Sequence, residues 1–366
     1  MKRSTLVIAA LLYSCSFSLL QPQSAAADGN PMQTIWDQTA YNPHLNDSVV
    51  RSKDTIVAVK AGKLQGSQHD GIYRYLGVPY AQAKKRFVRA EPVAPWQGTK
   101  DATQYGPHAP QMIFGSDKAD AGAGTSNNNQ NLNIWTPSLD PEARKPVMVW
   151  LHGGGFSSGT ANEAHYDGEN LSRIGDVVVV SVNHRLNALG FLNLADYGED
   201  YKDSANIGIM DIVDSLKWIR ENIAAFGGDQ DNVTLFGESG GGAKVLTLMS
   251  APCAKGLFHK GIVQSGATET MGVSFTPDRI SKEVALETLK ILNVNGDRIE
   301  ALQDVPIEEL WQATGKAQAI VAKREHVSLG VTAPEGIAWE PVSGTGFLPT
   351  DPVLEEGFAA PGKDVR

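Results

Sequence analysis

One serine of this chain lies where a nucleophile is expected. Ser239 is the centre of Gly237-Glu238-Ser239-Gly240-Gly241, which follows the apolar run 233–236 and precedes the helix-prone stretch 242–249. A strand, a tight glycine turn and a helix in this order hold a serine on a strained turn, with its hydroxyl clear of the sheet. The flanking glycines are expected because larger side chains there would collide with the strand and the helix. The pattern predicts nucleophilic, acyl-forming chemistry at Ser239.

A second glycine cluster indicates where a negative charge could be stabilised. The apolar run Pro146-Val147-Met148-Val149-Trp150-Leu151 leads directly into His152-Gly153-Gly154-Gly155-Phe156. An apolar run of this length predicts a buried strand. Consecutive glycines after it leave backbone N–H groups free to point at one spot, which is how an oxyanion hole is built. The alternative is a flexible glycine loop, but two independent signals here predict the same chemistry.

Composition and charge limit the class of protein. The 366 residues are 42% apolar and 20% charged, which is typical of a globular chain with a large core. The formal net charge is −9, and loss of Lys2 and Arg3 with a leader peptide would give −9 − 2 = −11. A chain this acidic is not expected to bind nucleic acid.

The first residues have the pattern of a secretion signal. Lys2 and Arg3 precede the apolar stretch 6–12, and Ser24-Ala25-Ala26-Ala27 offers a cleavage site, so residues 1–27 are predicted to be removed and the protein to be secreted or periplasmic. Serines interrupt the apolar run well short of about 20 residues, so no stable membrane span is expected. Lipid attachment at Cys15 is an alternative. Cys253 would be the remaining cysteine, and no internal disulfide could form.

The rest of the chain, residues 28–366, is predicted to be one α/β domain. Short apolar runs alternate with helical stretches, which favours a doubly wound, mostly parallel sheet. Early runs around 55–59, 71–76 and 132–135 are predicted to be antiparallel strands at its edge. Ile212, Val213, Leu216, Ile219 and Ile223 share one helix face, and Gly227-Gly228 ends that helix. A helical stretch from Phe275 to about His326, capped by Thr276, is expected to cover the pocket.

With these residues in view, the chain resembles the type B carboxylesterases, α/β-hydrolases that include the cholinesterases, from about residue 48 to its end. The segments that carry the resemblance are Leu76 to Ala81, Leu132 to Pro137, His152 to Phe156, Ser181 to Phe191, Phe226 to Asp229, Gly237 to Gly241 and Gln264 to Gly266. The resemblance implies an α/β-hydrolase fold and a serine esterase acting on small-molecule esters, with neither metal nor cofactor. It also implies an acyl-enzyme on Ser239 and oxyanion donors at the N–H groups of Gly154, Gly155 and Gly240.

The chain departs from the family pattern at several positions. Ala109 and Asn129 stand where the family has a disulfide, His184 where it commonly has tyrosine, and Gly240 where it usually has alanine. The family places its acid and histidine after the serine, in that order. The stretch Glu340 to Pro349 resembles the segment before the acid, and Lys363 to Arg366 the approach to the next strand. We therefore expect the acid, the base and the last strands of the sheet to lie beyond residue 366.

Residues within the chain are weak substitutes for that acid and base. His259 is expected to be structural, and His326 lies in a charged stretch typical of a solvated helix face, although Asp351, Glu355 and Glu356 follow it. Glu238 is too constrained to reach the serine proton, and a buried, hydrogen-bonded electrostatic role near the site is expected instead. Three functions stay open: an esterase impaired if it ends at residue 366, a non-catalytic cholinesterase-like binding protein, and a lipase.

Overall fold

The computed structural model describes residues 52–111, 124–266, 275–329, 336–351, 353–354, 357–358 and 365. Residues 1–27, with Cys15, lie outside them, as do Glu355 and Glu356. The strands, in chain order, are β1 Ile56–Val59, β2 Gly62–Gln65, β3 Ser67–His69, β4 Ile72–Pro79, β5 Ala81–Gln82, β6 Glu91–Pro92, β7 Thr99–Asp101, β8 Asn131–Thr136, β9 Lys145–Leu151, β10 Val178–Val182, β11 Gly228–Glu238, β12 Lys260–Gln264, β13 Thr276–Pro277, β14 Val342–Ser343, β15 Val353–Leu354 and β16 Gly357–Phe358. The α-helices are α1 Glu169–Gly175, α2 Asn187–Phe191, α3 Ile207–Asn222, α4 Gly240–Ser250, α5 Asp278–Ile291 and α6 Ile307–Glu325.

The main sheet has seven described strands in the order β12-β11-β9-β10-β8-β4-β3. Strands β12, β11, β9 and β10 pair in parallel, and β8, β4 and β3 extend the sheet through antiparallel pairs. Strand β10 lies between β8 and β9, so the chain returns past β9 and β11 pairs with the other side of β9. The predicted doubly wound sheet with an antiparallel N-terminal edge is confirmed. This strand order brings the two glycine clusters together, because the carboxyl ends of neighbouring parallel strands lie at the same edge of the sheet.

The first predicted strand does not belong to that edge. Strand β1 pairs with β2, and β2 with β7, in a separate three-stranded sheet. Val57 is buried, whereas Ile56 is exposed, so this strand packs only one face on the core. The sequence shows that a strand forms here, but its pairing partners are set by contacts distant in the chain.

Helix α3 packs its predicted apolar face on the sheet. Four residues of that predicted face, Ile212, Val213, Leu216 and Ile219, are fully buried in the main core cluster, and so is Ile223, which directly follows the helix. A short 3₁₀ turn follows, and Gly227 ends it at φ +71° with its N–H donating to the Ala224 carbonyl. The predicted glycine stop is confirmed, because this left-handed conformation favours glycine.

The late helical segment is present, but it begins differently from the prediction. Helix α5 starts at Asp278 with Pro277 as its N-cap residue. Thr276 instead pairs with Val342, and its N–H donates to the Pro341 carbonyl at 3.0 Å, so its prediction as the cap was wrong. Helices α5 and α6 pack through a small apolar cluster that includes Ile280, Val284, Ala317 and Val321. None of the described helices combines the length and apolar character needed to cross a bilayer.

Candidate active site

The structure places Ser239 on a strained turn between β11 and α4. Its backbone adopts φ +54° and ψ −122°, a region that residues with side chains seldom enter and that costs about 1–3 kcal/mol. The turn is tight: a Cβ atom on Gly237 would lie 2.5 Å from the Gly241 carbonyl carbon, and one on Gly241 would lie 2.0 Å from the Leu151 oxygen. The strand, glycine turn and helix predicted from the sequence are therefore present.

The second glycine cluster lies directly against this turn. A Cβ atom on Gly153 would lie 3.6 Å from the Ser239 Cβ, and one on Gly240 would lie 2.6 Å from the Gly155 nitrogen. Gly154 and Gly155 have φ values of +81° and +61°. Close packing and left-handed backbone together explain why glycine occupies these positions. We define residues 152–159 as the oxyanion loop.

The geometry leaves backbone donors available beside Ser239. Gly240 is the first residue of α4, and the first N–H groups of a helix have no acceptor within it. The described residues provide no hydrogen-bond acceptor for the N–H groups of Gly154 and Gly155, while the Gly154 carbonyl accepts from Ser157 and Ser158. The three predicted oxyanion donors are thus neighbours, and the helix N-terminus adds a partial positive charge.

Three hydrogen-bonded anchors hold the oxyanion loop. At its start, the Lys244 Nζ donates to the His152 carbonyl at 2.8 Å. In its middle, the Phe156 carbonyl accepts from the Asn187 N–H at 2.8 Å. At its end, the Gln111 side chain bonds both the N–H and the carbonyl of Gly159, at 2.7 and 3.0 Å. The loop is therefore fixed rather than the flexible glycine stretch that was the alternative.

Two buried histidines stack where the loop begins: His152, its first residue, and His184. The rings of His152 and His184 stack with centroids 5.0 Å apart, and each Nδ1 bonds a backbone carbonyl, of Gly153 and of Arg185 respectively. Burial first, and then the nearby Lys244 charge, lower the pKa of both imidazoles well below 6.5. Both rings are therefore neutral near pH 7. His184 stands where the family commonly has tyrosine, and its ring here stacks on the ring of His152.

Glu238 does not have the buried role predicted from the sequence. The residue is exposed, because alternation along the end of β11 turns Gly237 inward and Glu238 outward. Its Oε2 lies 3.0 Å from where a Gly153 Cβ would be. Glu238 also contributes, after burial and Glu163, to raising the pKa of Tyr166. Glu238 is thus a surface carboxylate beside the turn, and its electrostatic role towards Ser239 stays a prediction.

The weak candidates for a base lie far from Ser239. The Nδ1 of His259 accepts from the Val233 N–H at 3.1 Å, and six residues of strand separate Val233 from Ser239, about 20 Å. This placement fits the structural role predicted for His259. His326 is exposed where α6 ends, with its N–H bonded to the Ala322 carbonyl. Asp351 is also exposed.

The other end of α6 is the one that approaches the oxyanion loop. The Trp311 Nε1 donates to Asn187 Oδ1 at 3.4 Å, and Asn187 is the residue that anchors Phe156. Fifteen residues of helix place His326 about 22 Å beyond Trp311. The structure therefore does not bring His326 to Ser239.

Lys244 and Glu340 were not identified from the sequence. Lys244 is fully buried and Glu340 is 6% exposed. Burial lowers the pKa of Lys244 to about 7 and raises the pKa of Glu340 to about 8. The available signal was the one charged residue, a lysine, in the helix that follows the serine, since charged residues are almost never fully buried unless they are paired.

Known proteins match most of this chain in sequence. The sequence model of the Carboxylesterase family matches residues 53–359. The chain is 39% identical over 283 residues to a para-nitrobenzyl esterase of Bacillus subtilis, covering 74% of this chain and 54% of that protein. It is 36% identical over 305 residues to a phenmedipham hydrolase of Pseudarthrobacter oxydans, covering 81% of this chain and 58% of that protein.

The chain also matches solved structures. An esterase from Clostridium hathewayi, described as able to hydrolyse aliphatic aromatic polyesters, superimposes with a TM-score of 0.74 at 40% identity, covering 87% of this chain and 62% of that one. The chain thus spans somewhat more than half the length of these relatives.

Proposed function

The chain belongs to the carboxylesterase family, and from this we propose that the native protein is a serine esterase that hydrolyses small-molecule carboxylic esters through an acyl-enzyme on Ser239. One observation carries the proposal: Ser239 has the strained backbone of a nucleophile turn, at φ +54° and ψ −122°, directly beside a glycine loop whose Gly154 and Gly155 N–H groups have no acceptor among the described residues. Strain of this kind persists where the surrounding structure enforces it, and it clusters at active sites.

The proposed reaction has two halves. The Ser239 oxygen attacks the ester carbonyl, and the negative charge that develops on the carbonyl oxygen is stabilised by the N–H groups of Gly154, Gly155 and Gly240. The base that took the serine proton gives it to the leaving oxygen as the tetrahedral intermediate expels the alcohol, which leaves the acyl group on Ser239. Water then attacks the acyl carbonyl, its proton passes through the base to the Ser239 oxygen, and the carboxylic acid is released. A general base must take the serine proton, and the prediction that the acid and the base follow residue 366 stays a prediction.

We propose short-chain aryl esters as the class of substrate with which to test this activity. The support is the similarity to a para-nitrobenzyl esterase and to an esterase acting on aliphatic aromatic polyesters. Secretion after removal of residues 1–27 is likewise proposed, from the sequence pattern alone. An ester outside the cell would be reached without crossing a membrane, which fits a hydrolase of this kind.

Hydrolysis of para-nitrophenyl butyrate by the native full-length protein tests the proposal. We expect Ser239→Ala to lower kcat by about 10⁶-fold, since loss of the nucleophile leaves only binding and oxyanion stabilisation. Ser215→Ala is the matched control, because it removes a buried serine hydroxyl, bonded to the Ile212 carbonyl at 2.7 Å, from another helix. We expect that control to keep wild-type turnover.

Three outcomes would overturn the proposal. A native protein that binds esters but does not turn them over would be a non-catalytic member of the family. A rate that rises sharply only above the micellar concentration of the substrate would make the protein a lipase. Ser239→Ala with unchanged kcat would remove Ser239 from the mechanism.

A further inference from the structure

Lys244 is a buried amine that the proposed reaction does not use. It lies on α4, five residues after Ser239, and none of its side chain reaches solvent. Its Nζ donates to the His152 carbonyl at 2.8 Å and lies 5.6 Å from the centroid of the Phe156 ring. Both partners belong to the oxyanion loop, one at the start of its glycines and the other at their end.

Burial of this side chain is unfavourable, so its position calls for an explanation. No carboxylate lies within ion-pair distance of Lys244 among the described residues, and Glu340, the acid whose charge acts on it, is itself buried with a raised pKa. Removing an ammonium from water without a close partner costs stability. An apolar side chain at this position of α4 would avoid that cost. The carbonyl and the ring of the loop are the compensating contacts.

The contact with His152 holds the peptide unit at the start of the loop. Because a peptide unit is planar, fixing the His152 carbonyl fixes the whole His152–Gly153 peptide, from which the backbone continues into the proposed donors Gly154 and Gly155. The other two anchors, Asn187 and Gln111, come from other parts of the chain. Lys244 is the anchor that comes from the helix carrying the nucleophile turn, so it links the loop and Ser239 directly.

We propose that Lys244 is a positioning residue that holds the oxyanion loop in register with Ser239 while charge develops on the substrate oxygen. This inference rests on the proposed function. A misplacement of about 1 Å in a catalytic site can lower the rate by about 100-fold. Loss of the anchor is therefore expected to act on the transition state and not on substrate binding.

Lys244→Met in the native full-length protein tests this role, because methionine keeps an unbranched chain but has neither charge nor N–H donor. We expect kcat to fall by about 10- to 100-fold while KM changes less than about twofold. A trifluoromethyl ketone, which forms an oxyanion on the serine, should bind weaker by a similar factor. Lys244→Gln keeps an N–H donor but not the charge, so its kcat and its inhibitor affinity should lie between those of the wild type and Lys244→Met. If the methionine variant does not fold, the glutamine variant carries the same comparison.

Thr247→Val is the matched control. Thr247 is fully buried on the same helix and bonds only the Ala243 carbonyl in the described residues, at 2.7 Å, so its loss perturbs α4 without touching the loop. We expect wild-type kcat and inhibitor affinity for this variant. Equal losses in the Thr247 and Lys244 variants would reduce Lys244 to a general packing role and overturn the proposal.

Hydrogen exchange of the peptide covering residues 152–159 gives a second readout that does not need activity. We expect about tenfold faster exchange of the hydrogen-bonded loop amides in Lys244→Met, because loss of the anchor lowers the free energy of local opening, and no change in Thr247→Val. If the native protein hydrolyses no ester, the proposed function fails while the exchange comparison still shows whether Lys244 holds the loop. Unchanged exchange in the methionine variant would contradict the anchor whatever the activity.

Discussion

Acid should destabilise this protein through the buried pair His152 and His184, and His184→Phe should relieve part of that sensitivity. The two rings stack where the oxyanion loop begins, each about 1% exposed. Burial, Lys244 and the second histidine lower the pKa of His184 well below 6.5. Phenylalanine keeps an aromatic ring against His152 but cannot bind a proton.

The size of the effect follows from proton linkage. A histidine whose pKa is lower in the folded than in the unfolded state contributes stability that is complete above the unfolded pKa of about 6.5. That stability is lost as pH falls, because the unfolded chain then binds a proton that the folded chain does not bind. With 6.5 as the unfolded value, one histidine that stays neutral in the folded state costs about 2 kcal/mol at pH 5 relative to pH 8. Two such histidines cost about 4 kcal/mol.

Other buried groups do not obscure this difference. The raised pKa of Glu340, about 8, has the opposite sign, since its contribution is present below the unfolded value and is lost as pH rises towards 8. It is common to both proteins and cancels when the variant is subtracted from the wild type. Lys244, with a pKa of about 7, changes stability only between that value and 10.5.

Urea unfolding at a series of pH values measures the effect. Between about pH 8 and pH 5 the wild type should lose about 2 kcal/mol more unfolding free energy than His184→Phe. The control is His326→Gln, an exposed histidine at the end of α6, for which we expect the wild-type dependence. Parallel curves for the wild type and His184→Phe would refute the burial of a neutral imidazole at this position.

Two further predictions concern the nucleophile turn. Gly241→Ala should abolish both activity and stable folding, since the new Cβ would lie 2.0 Å from the Leu151 oxygen; soluble yield and circular dichroism measure this, and a folded, active variant would contradict it. The unfolding free energy of Ser239→Gly, measured with urea, should exceed that of Ser239→Ala by about 1 kcal/mol, because glycine relaxes the strain at φ +54° that alanine keeps. The reverse order would show that the turn is not strained.

The sequence predicts the parts of the site that depend on local backbone. The glycines around Ser239 and those of the loop after β9 identify the turn, because no other residue fits such close approaches. Burial of β9 and β10 follows from continuous apolar runs. Contacts between distant segments were not predictable in the same way. The pairing of β1 away from the main sheet depends on where β2 and β7 lie.

Side-chain environment was the least predictable property. Glu238 was predicted to be buried because it adjoins the nucleophile, yet strand alternation turns it outward. The sequence shows a lysine in an otherwise uncharged helix, but not that its partner is the His152 carbonyl, 92 residues earlier in the chain. Such contacts are set by packing across the sheet, and a short stretch of sequence does not encode them.

The central claim is that Ser239 is the nucleophile, and covalent labelling tests it most directly. The native full-length protein is treated with a fluorophosphonate, which forms a stable adduct on an activated serine, and the labelled peptide is identified by mass spectrometry. We predict one adduct, on Ser239, whose formation is slowed by a short-chain aryl ester and lost in Ser239→Ala. A labelled protein with the adduct on another serine, or an ester-hydrolysing protein with no adduct on Ser239, would contradict the claim.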